Sequence, residues 1–220
     1  MSKEEEKFAR QLIEMFPGHQ IIRNWRPNDL KNKQTDKNLE LDFYLGKYRL
    51  GFEYQGGVHF KNIKSFKNDA DKSRRHDSMK YEILEENYNS YLKSKDYIKN
   101  RKSKSKKILT IIEVFDVDLK GNFRDNIITR MNNSREYYLS KNLFHNAINI
   151  TKALCFLNTG VMYRDEDLKL GNVPQEYINK VMEINYSFGR YRYSQLSSEE
   201  KLKIQTKKKN KLIKKSLEEV

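Results

Sequence analysis

The sequence predicts an α/β fold: a mixed sheet with the core order helix, strand, hairpin, helix, strand, followed by a largely helical and basic C-terminal part. Three observations predict it: an amphipathic N-terminal segment, two strand-like runs around a glycine-containing turn, and a β-branched run after a second helical segment. A chain of 220 residues is long enough for one ordinary domain and a small appendage. We therefore expect the core in residues 1–150 and a helical basic appendage in residues 151–220.

The predicted core begins with a helix and a short strand. Residues 4–16 carry apolar side chains at helical spacing, and Pro17 with Gly18 ends this pattern. Residues 21–26 form an extended stretch, and the polar residues 26–38 predict a loop.

Two strand-like runs, residues 39–45 and 48–55, follow and are separated by Gly46 and Lys47. Two central residues with glycine first are typical of a type II′ hairpin turn. This turn fixes a register in which Asp42 faces Gly51 and Glu40 faces Glu53.

The later elements alternate in the same way. Residues 71–87 predict a helix, the polar residues 93–107 a loop, and the β-branched residues 108–115 a buried strand. Beyond this strand the chain is mainly helical, with helices near residues 140–156 and 174–184 and a last one from Ser197, which has capping-box spacing to Glu200.

The charge of the chain favours a polyanionic partner. Lys and Arg number 44 against 30 Asp and Glu, a formal net charge of +14. Nucleic acid is the first candidate and an anionic membrane surface the second. A compositional bias that enriches Lys, Asn, Ile and Tyr remains an alternative explanation.

Several features argue against a membrane or secreted protein. No apolar run approaches the ~20 residues needed to span a bilayer, and the acidic N-terminus does not resemble a signal peptide. The single cysteine, Cys155, cannot form an internal disulfide. We expect an intracellular protein without a membrane role.

The hairpin carries the most chemistry. Alternation with period two gives it one apolar and one polar surface. The apolar surface holds Leu41, Phe43, Leu45, Leu50, Phe52 and Tyr54, and the polar surface holds Glu40, Asp42, Gly51, Glu53 and Gln55. Asp42 and Glu53 become diagonal neighbours about 5–8 Å apart, which lets both carboxylates bind one divalent cation. Gly51 would leave room for this metal, and Gln55 would orient a water or the phosphate.

A structural explanation of these charges stands beside the functional one. Antiparallel hairpins with one apolar face carry charges on the other face simply because that face meets water. The functional interpretation rests on the string from Glu53 to Phe60. In it, Gly56 and Gly57 predict a tight turn directly after the strand, and His59 is expected to place its polar ring near the carboxylates.

Asp42, followed after the turn by Glu53-Tyr54-Gln55, resembles the motif of the PD-(D/E)XK nuclease superfamily, the restriction-endonuclease-like fold. The string around His59 is most similar to very-short-patch-repair-like nucleases and PD-(D/E)XK homing endonucleases. The resemblance covers residues 1–118. It departs from the usual pattern at Leu41, where proline is common, and at Gln55, where the family usually has lysine.

The resemblance implies further site residues. Asp42, Glu53 and the backbone carbonyl of Tyr54 would bind Mg²⁺ or Mn²⁺, and Glu5 on the first helix would approach the metal. Gln55 and His59 would act in catalysis, and Lys80 would supply the positive charge that Gln55 lacks. For Glu5 a frayed N-terminal charge, and for Lys80 a surface salt bridge with Asp77, remain the structural alternatives.

Basic segments are candidates for phosphate contacts, which give salt-dependent affinity without reading sequence. Arginine also alternates with tyrosine near residue 190, a composition suited to stacking or groove contacts and equally to packing. The predicted nucleic-acid-binding residues are Arg74, Arg75, Lys102, Lys104, Lys106, Arg190, Arg192, Lys208 and Lys211.

The resemblance thus predicts a Mg²⁺-dependent endodeoxyribonuclease, of homing or another site-specific type, that acts on double-stranded DNA. RNA remains open as a substrate, and a homodimer would be needed to cut both strands. The alternative is a nuclease fold without catalysis that binds nucleic acid or supports a ribonucleoprotein.

Overall fold

The computed structural model describes residues 2–56, 67–93 and 108–207, with residues 67–77, 93 and 165 described by their backbone only. The predicted α/β class is confirmed, because helices flank a four-stranded mixed sheet. In chain order the elements are α1 (Lys3–Met15), β1 (Ile21–Trp25), β2 (Leu41–Leu45), β3 (Leu50–Gln55), α2 (Lys67–Lys93), β4 (Thr110–Phe115), α3 (Phe123–Ser140), α4 (Phe144–Thr159), α5 (Asp165–Lys169), α6 (Gln175–Ser194) and the helical residues 198–207, labelled α7.

The sheet has the strand order β1-β2-β3-β4. The first three strands are antiparallel neighbours, and β4 runs parallel to β3, with Phe52 beside Ile112. Antiparallel strands need only short turns, whereas a parallel pair needs a long crossover, and the segment containing α2 provides it. The predicted order helix, strand, hairpin, helix, strand is therefore confirmed.

The predicted type II′ turn is wrong. Residues Gly46–Tyr48 form a 3₁₀ turn, Arg49 takes a left-handed conformation with φ of 57°, and Leu45 pairs with Leu50. The ring of Tyr48 is buried beside the ring of Phe16, 6.1 Å between centroids, so it belongs to the core and not to a strand. The longer turn moves the hairpin register by two residues.

One face of the sheet packs on α1 through aromatic rings. The Phe8 ring lies edge-on to the ring of Phe43, with centroids 5.0 Å apart, and the ring of Phe52 is 6.2 Å away. All three side chains are almost fully buried. Burial of such rings is a major part of the folding free energy of this region.

The other face packs on α2, and Leu41 lies there instead of beside Phe43 as expected. Asn24 has a φ of 50°, which breaks the alternation of β1 and brings Trp25 onto the ring of Tyr44 with centroids 3.6 Å apart. Leu41 is the sheet partner of Trp25 and follows it. The cluster contains Leu30, Leu39, Leu41, Tyr44, Ile83, Leu84, Leu109 and Ile111.

The sequence does not single out α3, whose surface is rich in charged and amide side chains. Its buried residues Phe123, Ile127 and Met131 recur four residues apart and form the apolar stripe of a helix. The predicted capping box of Ser197 and Glu200 is confirmed, because each side chain accepts the other residue's backbone N–H.

The chain forms two compact units, Met1–Val181 and Met182–Val220, so the boundary lies within α6. The boundary expected after residue 150 lies within α4. The assignment of the C-terminal part to nucleic-acid binding stays a prediction. Among the described residues, no helix is both long and apolar enough to cross a bilayer.

Candidate active site

A buried ion pair joins β3 to α2. Lys80 donates from Nζ to Glu53 Oε2 at 2.6 Å, and the two side chains are 8% and 6% exposed. The pair forms because Ile83 and Leu84, one turn further along α2, pack into the sheet cluster and direct this face of the helix inward. Removing two charges from water costs several kcal/mol per ion, so their burial here needs an explanation beyond packing.

Asp42 lies where β2 and β3 end their ladder. The last ladder pair is Phe43 with Phe52, and the next step along both strands brings Asp42 and Glu53 to the same level. Asp42 Oδ2 accepts the backbone N–H of Tyr54 at 2.7 Å, which ties the carboxylate to β3 beside Glu53. The expected diagonal placement is therefore corrected to the same level.

Gly51 does not leave room for a metal as expected. It pairs with Tyr44 and not with Asp42, and a Cβ atom at this position would come within 2.8 Å of Leu41 Cδ1. The missing side chain therefore makes room for Leu41. The position of Leu41 over Gly51 follows from the observed hairpin register and from the break in the alternation of β1.

Glu113 extends the row of acids into β4. It is the sheet partner of Glu53, so the two carboxylates lie on one face of neighbouring parallel strands. Burial raises the pKa of Tyr81, and the charges of Tyr138, Glu113 and Glu53 raise it further. Like charges on neighbouring strands destabilise a sheet, and the ammonium of Lys80 offsets this here.

Gln55 is buried two residues after Glu53 on β3, beside Phe115 of β4. Its alternation with Tyr54 puts it on the same face as Glu53. Burial and a hydrogen bond to Asp116 raise the pKa of Tyr54, whose ring lies on the opposite, α1 face. Whether the Tyr54 carbonyl binds a metal stays a prediction.

Glu5 has a structural role. Its carboxylate accepts the backbone N–H of Ser2, and the Ser2 hydroxyl accepts the backbone N–H of Glu5 at 3.1 Å. This capping box stabilises the start of α1. The position expected for a metal-directed acid thus holds a helix cap, and a metal role for Glu5 stays a prediction.

The other predicted residues lie in the second unit, in the part of α2 described by its backbone only, or outside the described residues. Arg190 lies in the second unit, with its guanidinium 5.9 Å from the ring of Tyr186, and Arg192 is in the last turn of the same helix. Arg74 and Arg75 belong to the part of α2 described by its backbone only. Outside the described residues lie His59, Lys102, Lys104, Lys106, Lys208 and Lys211.

The donor set fits a hard divalent cation. Asp42 and Glu53 offer carboxylate oxygens, and Mg²⁺ is bound through one or two carboxylates together with waters and substrate phosphates. In the described part of the chain, no three His, Cys, Asp or Glu side chains group closely enough to hold a metal. A cation held by these two carboxylates would complete its shell with water and substrate oxygens.

Sequence reasoning missed the cleft next to this row. It has a volume of about 410 Å³ and opens between α2, β4 and α3. The α3 residues that line it, Arg130, Asn133, Ser134 and Tyr137, recur at helical spacing. That periodicity is the signal that would have found them, once α3 itself is recognised.

Comparisons with protein-family models, with curated proteins and with solved structures found no match to this chain. Its function is therefore argued from the geometry of the site.

Proposed function

We propose that the chain is a Mg²⁺-dependent endonuclease with a restriction-endonuclease-like core, and that it hydrolyses phosphodiester bonds of DNA. The observation that carries the proposal is the buried pair of Lys80 and Glu53 beside Asp42. A buried ion pair beside a second carboxylate is a candidate for a functional site. The order of the strands and of α2 around them supports the same class.

Each residue has a defined task. Asp42 and Glu53 hold the cation, and the Tyr54 N–H fixes the direction of the Asp42 carboxylate. When bound, Mg²⁺ supplies polarisation of the phosphate and lowers the pKa of a water molecule. Lys80 lies on α2 and not on β3. It would supply the positive charge that the motif lacks at Gln55. It would also face the phosphate, whose negative charge increases in the transition state.

The decisive experiment compares the wild type with Glu53→Gln and Asp42→Asn on supercoiled plasmid and long genomic DNA. We expect the wild type to nick or linearise DNA with Mg²⁺ or Mn²⁺, and each variant to lose about a hundredfold or more of this activity. Each amide keeps the shape of its carboxylate, but Glu53→Gln leaves the buried Lys80 ammonium without its partner, so activity is compared per folded molecule as measured by circular dichroism.

Glu86→Gln is the matched control. Glu86 also forms an ion pair with a lysine, Lys33, but both side chains are more than half exposed. An exposed pair contributes little, so this variant should cut DNA like the wild type. Loss of cleavage in Glu86→Gln as well would show that the assay reports a general effect of acid removal.

Metal binding supplies a second readout that needs no cognate DNA sequence. The free Mn²⁺ signal in electron paramagnetic resonance should fall when wild-type protein is added and should stay high with Asp42→Asn. A wild-type protein that binds no Mn²⁺ and leaves every DNA intact contradicts the proposal. Salt-sensitive DNA binding without either property would support the alternative, a nuclease fold that only binds nucleic acid.

A further inference from the structure

The cleft beside the acid row has flat aromatic walls. The rings of Tyr81 and Tyr137 are nearly perpendicular with centroids 6.5 Å apart, and Tyr137 is 47% exposed. Across the cleft, the guanidinium of Arg130 lies 4.4 Å from the ring of Phe115. A hydrogen bond of 2.7 Å from Arg130 Nε to Asp118 holds it there. Contacts within the chain therefore hold the Arg130 and Phe115 side of the cleft in place.

Polar groups line the same cleft. Asn133 contributes an amide, Ser134 a hydroxyl and Glu113 a carboxylate. An amide both donates and accepts, and a carboxylate accepts from an amino group such as that of cytosine or adenine. This combination of flat faces and hydrogen-bonding edges matches the chemistry of a nucleobase.

The charges of the cleft disfavour a phosphate inside it. Glu113 is negative, and the positive charge of Arg130 is opposed by Asp118. A neutral ring therefore enters more readily than an anion. The volume of about 410 Å³ is within the range of small-molecule sites and accommodates one base with its sugar.

The cleft adjoins the proposed cleavage site. Glu113, which lines it, is the sheet partner of Glu53, and Tyr81 follows Lys80 on α2. A base in the cleft would belong to a nucleotide next to the phosphate at Asp42 and Glu53.

We propose that this cleft binds one unstacked nucleobase of the DNA strand, adjacent to the phosphate that is cut. The inference rests on the proposed function, which identifies the bound strand as the DNA strand that is cut. A paired base inside a duplex cannot present its face to Tyr137, so the cleft selects single-stranded, frayed or locally opened DNA.

The test measures binding in EDTA, where no DNA is cut. Fluorescence anisotropy gives the affinity for a single-stranded oligonucleotide and for a closed hairpin duplex, with wild type, Tyr137→Ala and Tyr137→Phe. We expect Tyr137→Ala to weaken single-strand binding about tenfold and to leave duplex binding unchanged, because stacking on a side chain is worth about 1–3 kcal/mol per base. Tyr137→Phe keeps the ring and should bind like the wild type.

Two further measurements sharpen the result. Tyr186→Ala removes another exposed tyrosine, from the second unit, and should leave single-strand binding intact. A 2-aminopurine base in the oligonucleotide should lose fluorescence on binding to wild type and not on binding to Tyr137→Ala.

Equal binding by wild type and Tyr137→Ala, or an equal loss on single-stranded and duplex DNA, overturns the inference. An effect of Tyr186→Ala as large as that of Tyr137→Ala overturns it too. Failure of the proposed function would be seen separately, as the absence of Mn²⁺ binding and cleavage, because the binding assay uses neither.

Discussion

Two clusters of polar side chains in the described part of the first unit differ in charge. The charged cluster consists of Asp42, Glu53 and Lys80. The neutral network consists of Tyr88, Thr110, His145, Asn146 and Asn149, and it lies around the start of β4. Glu53, Lys80 and the members of the neutral network are buried, whereas Asp42 is partly exposed, so burial alone does not distinguish the two clusters.

The neutral network completes backbone hydrogen bonds. Asn146 Nδ2 donates to the carbonyl of Leu109 at 2.8 Å, and Asn149 Nδ2 donates to the carbonyl of Ile108 at 3.0 Å. Both amides also donate to the hydroxyl of Thr110. Buried carbonyls need partners, and the amides of α4 supply them where the strand has not yet begun its ladder.

The charged cluster differs in the contact that defines it, because the Lys80 ammonium pairs with the carboxylate of Glu53. A buried ion pair is often no more stabilising than apolar residues of the same volume. The neutral network thus completes backbone hydrogen bonds, whereas the ion pair of Lys80 and Glu53 joins two side chains and is the contact on which the proposed function rests.

The largest expected effect on stability comes from breaking the ion pair of the charged cluster. Lys80→Met alone should lower the free energy of unfolding by about 3–5 kcal/mol, because the Glu53 carboxylate then stays buried without its cation. Replacing both residues, as Glu53→Met with Lys80→Met, should restore most of this stability while Mn²⁺ binding is lost. Urea denaturation of the two variants and the wild type measures this.

Two results would break the comparison here. A double variant as unstable as Lys80→Met would mean that the pair is needed for the fold. A double variant that still binds Mn²⁺ would mean that the pair has no part in the site.

The next largest effect concerns the pH dependence of the neutral network. Burial, with a smaller contribution from Lys152, lowers the pKa of His145 from 6.5 to about 4. The Phe144 N–H donates to the Tyr88 hydroxyl, whose oxygen lies 3.1 Å from His145 Nδ1. The hydroxyl can donate to Nδ1 only when the ring is neutral.

The unfolded chain binds a proton at His145 below about pH 6.5, whereas the folded chain does so only near pH 4. The contribution of His145 is thus complete above pH 6.5 and is lost as the pH falls towards 4, by about 3 kcal/mol in total. Thermal or urea unfolding between pH 4 and 7 should show this slope, and His145→Gln should flatten it. A slope identical in both proteins would contradict the neutral state of the ring.

The smallest effect comes from the amides. Asn146→Ala leaves the Leu109 carbonyl without its donor and should cost about 1–3 kcal/mol, while DNA cleavage per folded molecule is retained. Asn149→Ala should behave similarly, and the double variant should show less than the sum because both amides share Thr110. Asn179→Ala, which removes an exposed amide that bonds only Gln175, is the control and should cost less than about 0.5 kcal/mol. A loss of cleavage in folded Asn146→Ala would show that the neutral network contributes to activity as well as to stability.

Much of the fold is predictable because its signals are local. The spacing of Phe8 and Leu12 specifies α1, and the β-branched run before Phe115 specifies β4. The pair of acids on the hairpin is equally visible. The register is not, because it depends on Tyr48, whose burial against Phe16 draws two more residues into the turn.

Local sequence patterns are enough to predict the class of the fold, the order of its elements and the presence of Asp42 and Glu53 on paired strands. These properties follow from side-chain periodicity and turn residues, which act over a few positions. Three features depend on tertiary packing: the level at which Asp42 lies beside Glu53, the contact of Lys80 with Glu53 across 27 residues, and the cleft between α2, β4 and α3. Such contacts depend on how helices pack on the sheet, and no local pattern in the chain encodes that geometry.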